Sequence, residues 1–64
     1  MANPRIEHRC LDLLRIAYTD EAAALRELVL LKKLAIKYRR RADRMYIDRI
    51  IHNILELNRG ADIH

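Results

Sequence analysis

The sequence predicts an all-α fold, in which a short first helix and a long second helical segment form a hairpin that assembles as a dimeric helical bundle. Three observations predict it. Apolar residues recur at three- and four-residue intervals through most of the chain, which is the period of one face of an α-helix. Glycine and proline occur once each in 64 residues, far too few for the turns of a sheet protein. Leu, Ile and Ala carry the apolar volume with no Phe and no Trp, a composition that favours helix seams over strands.

The first helix is expected over about residues 4–18. Asn3 is placed to cap it, and Pro4 falls at its first position, where a missing N–H costs nothing. Ile6, Cys10, Leu13 and Ala17 repeat at four, three and four residues, with Arg5, His8, Arg9, Asp12 and Arg15 mostly on the other side. Thr19 is the expected cap of the second helix, and Asp20 and Glu21 put negative charge in its first turn. So short a connection makes antiparallel neighbours.

From residue 20 no glycine or proline interrupts the chain before Gly60. A long helical segment is therefore expected over about 20–58, ended by Asn58, Arg59 and Gly60, with 60–64 as a frayed tail. Its apolar face changes direction. A first seam runs Ala24, Leu28, Leu31, Ala35, Tyr38, Ala42, Met45 and then meets Arg49 and His52. A second seam of Ile47, Ile50, Ile54 and Leu57, flanked by Ile51 and Leu55, is turned by roughly 120° from it at 100° per residue. Either the chain breaks near 42–43, with Asp43 capping a third helix, or the helix continues and its halves face different partners. With no turn residue at that point, the sequence favours a continuous or gently bent helix.

Residues 1–64 are read as a single helical domain. A chain this short buries only ~60% of the surface its unfolded form exposes, so it needs a disulfide, a metal or a second chain. The one cysteine, Cys10, excludes an internal disulfide, and His8, His52 and His64 lack the spacing of a zinc site. Association is the remaining route, with Ile47, Ile50, Ile51, Ile54, Leu55 and Leu57 as the expected oligomer interface. Arg5, Glu7 and Arg9 interrupt any signal-peptide core, and apolar runs such as Leu28–Leu31 are far short of the ~18 residues of a membrane span. The expectation is a soluble cytoplasmic protein.

Two surfaces stand out as functional candidates. Lys33, Lys37, Arg40 and Arg44 recur at four, three and four residues, so on a continuous helix they line one face; Arg26 lies on the same line, with Arg41, Lys32 and Arg39 beside it. The formal net charge of +4 suits acidic partners, whether phosphates or a protein patch. The second surface is apolar: Leu25, Leu28, Val29, Leu30, Leu31 and Leu34 spread over more than one helix face, which marks an interface.

Enzymatic readings find no support. Cys10 lies on the apolar stripe while His8 and Asp12 lie outside it, which separates a thiol from its base. His52 and Glu56 are four apart, the spacing of an ordinary helix pair, and no phosphate loop or nucleophile motif occurs. No metal or cofactor is expected. The sequence thus points to a non-enzymatic regulatory or adaptor protein that binds another protein stoichiometrically, as inhibitor or bridging factor. Leu25, Val29, Leu30, Lys33, Lys37, Arg40 and Arg44 are the expected contact residues. A small DNA- or RNA-binding regulator using the Lys33/Lys37/Arg40/Arg44 face is the alternative.

Overall fold

The computed structural model describes residues 2–62, with side chains through Leu57. Over these residues the protein is all-helical, with three helices: α1 (Pro4–Ile16), α2 (Glu21–Lys37) and α3 (Arg41–Asp62). They run up, down and up in a bundle measuring 40 × 17 × 17 Å. Residues 63–64 of the expected tail lie outside the described residues, and α3 continues past Gly60, where the sequence placed its end.

The start of α1 follows the sequence. The Asn3 side chain accepts the Arg5 N–H at 2.9 Å, and Pro4 opens the first turn. The α1–α2 connection uses two polar residues in roles different from those expected. The Thr19 hydroxyl donates to the Ile16 carbonyl at 3.1 Å and closes α1. Asp20 is the cap of α2, its carboxylate accepting the Ala23 N–H at 3.1 Å.

The favoured continuous second helix is not what forms. The chain breaks after Lys37, a few residues ahead of the 42–43 position offered as the alternative. The Arg39 N–H donates to the Ile36 carbonyl at 3.1 Å and the Arg40 N–H to the Ala35 carbonyl at 2.8 Å. Together these make a Schellman-type helix end, which requires a left-handed residue at its turning point. Arg39 takes that position with φ 56°. A side chain in this region costs about 1–2 kcal/mol.

The core explains why that conformation is adopted. Folding back at Tyr38–Arg40 turns the two rotated seams toward each other. Ala24, Leu28 and Ala35 of α2 then meet Ile47, Ile50 and Ile54 of α3, with Cys10 and Leu13 from α1. Burying each isoleucine side chain contributes about 1.5–3 kcal/mol, so three of them outweigh one strained residue. Tyr38, Ala42 and Met45, which extended the first seam on paper, are exposed.

Ion pairs tie the helices along their margins. Arg9 meets Glu27 at 2.6 Å between α1 and α2, and Lys32 meets Asp48 at 2.7 Å between α2 and α3. The one charged group in the interior among the described residues is Asp43, in the first turn of α3. Rather than capping its own helix, its carboxylate accepts the Asn3 backbone N–H at 2.7 Å and so fastens the start of α1 to the start of α3.

Candidate functional site

The break redistributes the basic row. Lys33 and Lys37 stay on the outer side of α2, Arg40 lies in the turn, and Arg44 is in the opening turn of α3. They therefore do not share one helix face. Instead Arg40 and Arg44 join Arg39 and Arg41 around an open groove of about 320 Å³ whose apolar floor is Ala35 and Ile36. Of these four, Arg40 has a carboxylate nearby: its Nη1 is 3.9 Å from Asp43, a group already engaged by Asn3. Arg39, Arg41 and Arg44 make no ion pair among the described residues, and α3 directs the positive end of its dipole toward the same corner.

A second hollow, of about 240 Å³, shares Arg40 and Ala35 with the groove and is lined further by Ile6, Leu31, Leu34, Tyr38 and Asp43. Tyr38 is 62% exposed. Its ring lies 5.7 Å from the Lys37 ammonium, within reach of a cation–π contact. The sequence reading assigned Tyr38 to the apolar seam and so missed an aromatic group at the basic corner. One signal was present: in Arg39-Arg40-Arg41, three consecutive cations cannot occupy one helix face.

The apolar candidates divide. Leu25 is half-buried, while Val29 and Leu30 are exposed. Leu25, Val29, Lys32 and Ile36 share one side of α2, at spacings of four, three and four. Arg44, Asp48, Ile51 and Leu55 repeat the same spacings on α3, and the Lys32–Asp48 pair holds the two lines side by side. Leu30 and Leu34 form a separate exposed strip across Lys33 and Lys37.

Within the expected oligomer interface, Ile47, Ile50 and Ile54 are covered inside the chain at 0%, 5% and 2% exposure. They faced a void only on the assumption of an unbroken helix, and α1 and α2 fill it. Ile51 is half-buried, and Leu55 and Leu57 remain exposed.

Cys10 is fully buried, and its thiol is pushed up to about 11, by burial first and by the nearby Asp43 charge second. Such a thiol is a poor nucleophile at neutral pH. His8–Asp12 at 3.8 Å and His52–Glu56 at 3.5 Å are exposed pairs along single helices. Among the described residues no three His, Cys, Asp or Glu side chains gather as metal ligands, and no helix is long and apolar enough to cross a membrane. Comparison with family models, curated proteins and solved structures finds no match to this chain.

Proposed function

We propose that this chain is a non-enzymatic regulatory or adaptor protein of the cytoplasm that works as a homodimer and docks stoichiometrically on a second protein. One observation carries this reading: α2 leaves Val29 and Ile36 exposed on one side of Lys33 and Lys37, and Leu30 and Leu34 on the other. A helix with exposed apolar residues on both flanks of its charged strip has more apolar surface than its own chain covers, as an element inside an assembly does. The Leu25–Val29–Ile36 and Ile51–Leu55 lines form the proposed contact between copies, which moves Leu25 and Val29 from the second-protein surface expected from the sequence to the dimer contact. Leu30 with Lys33, Lys37, Arg40 and Arg44 is left for the second protein. Light scattering should return twice the monomer mass for the wild type and a folded monomer for Val29→Glu/Leu55→Glu; a wild-type monomer at micromolar concentration contradicts the dimer. Lys33→Glu/Arg40→Glu/Arg44→Glu should abolish nuclease-resistant protein capture while helicity and mass persist, and unchanged capture contradicts charge-guided docking.

The second reading is a small nucleic-acid-binding regulator, favoured by the exposed Tyr38 beside the arginine groove. Phosphate binding must weaken linearly in log–log form with salt. Titration at two salt concentrations separates the two readings.

A further inference from the structure

Resting on the nucleic-acid reading, we propose that the α2–α3 elbow binds single-stranded nucleic acid, with the Arg39, Arg40, Arg41 and Arg44 guanidinium groups taking backbone phosphates and Tyr38 stacking a base.

The elbow gathers four arginines within six residues around one groove. Like charges this close repel, and among the described residues the carboxylate beside them is Asp43, which accepts the Asn3 N–H on one oxygen and lies 3.9 Å from Arg40 Nη1 with the other. The fold thus leaves Arg39, Arg41 and Arg44 without an ion pair among the described residues, as a site for an external anion does. Guanidinium forks match phosphate oxygens two at a time. Arg39 adds a second indication. Its position has the left-handed φ that glycine adopts without penalty, yet a long cationic side chain stands there.

The hollow that shares Arg40 distinguishes among polyanions. Its wall is mostly apolar, with Ile6, Leu31, Leu34, Ala35 and the exposed Tyr38, and it is closed at one end by Arg40 and Asp43. Charged groove and aromatic-edged hollow therefore adjoin at one arginine, Arg40, which lines both. Nucleic acid likewise sets phosphate beside planar base, whereas an acidic peptide offers carboxylates without the rings. Stacking on a side chain requires a base free of its partner strand, which selects single strands over duplex.

Fluorescence anisotropy of a labelled oligothymidylate at a series of salt concentrations tests this with the full chain. Four single-strand phosphate contacts give a log–log salt slope of about −2.8. Arg41→Gln/Arg44→Gln should weaken binding and flatten that slope by about 1.4. Tyr38→Leu should weaken binding roughly tenfold and leave the slope unchanged. Arg15→Gln, on α1, should change neither, and circular dichroism verifies that each variant folds. If the oligonucleotide binds and the elbow variants bind as well as wild type, the elbow site is overturned and the nucleic-acid reading stands. If the wild type fails to bind at low salt, both fall. Loss with the arginine variants but none with Tyr38→Leu overturns base stacking. Tighter binding to duplex, to heparin or to vesicles of anionic phospholipid than to the single strand also overturns the proposal.

Discussion

Between α1 and α2 the chain turns on side chains suited to the task, whereas between α2 and α3 it turns against local preference. In the first connection Thr19 closes one helix and Asp20 caps the next. In the second, α2 ends on backbone hydrogen bonds alone, and an arginine occupies a left-handed conformation. Local chemistry accounts fully for the first turn. The second is imposed by packing, and it leaves an arginine cluster facing solvent. A connection that gives up stability and retains charge is where a binding role is to be sought.

The largest effect should come from removing what imposes the second turn. Ile47→Ala deletes a fully buried side chain and should destabilise by about 2–5 kcal/mol, a large part of the total for a small domain. Urea unfolding measures it; a loss no greater than that of exposed Met45→Ala would mean that α3 does not pack on α2 as described. Next is Asp43→Ala, which orphans the Asn3 N–H and should cost about 1–3 kcal/mol, with hydrogen exchange rising first at the start of α1. Asp20→Ala tests the first connection and should cost about 1 kcal/mol while leaving the arginine elbow intact; a change in elbow binding would show that the two turns are coupled.

At neutral pH the smallest effect is that of Cys10. Its thiol pKa is raised on folding from 9.0 to about 11, so the folded state holds the proton more tightly. That contribution is complete below pH 9 and is lost as pH rises from about 9 to about 11. Denaturation across this range should show the decline in wild type and a weaker one in Cys10→Ala; identical curves contradict the assignment.

Much of the fold was legible. Asn3 and Pro4 marked the start of α1, and the rotation between the Leu28 and Ile47 seams showed that one surface could not cover both. The location of the break was not legible, because Arg39 stands where glycine or asparagine announces such a turn, and only tertiary packing reveals the exception. That error moved the partner of Ile47, Ile50 and Ile54 from a second chain to the same chain. The candidate site suffered likewise. Period alone found Lys33, Lys37, Arg40 and Arg44, but helical spacing drew them as a row, and the bend regroups two of them with Arg39 and Arg41.

Arg39→Gly tests the central claim, that the elbow keeps charge at the expense of stability, because it sets the two properties against each other. Glycine relieves the left-handed strain, and a gain of about 1 kcal/mol raises Tm by roughly 4–8 °C in a domain of this size. The same substitution removes one phosphate contact and should reduce the salt slope for a single-stranded oligonucleotide by about 0.7. A higher Tm with weaker, less salt-sensitive binding is the predicted result. A lower Tm with binding unchanged contradicts it.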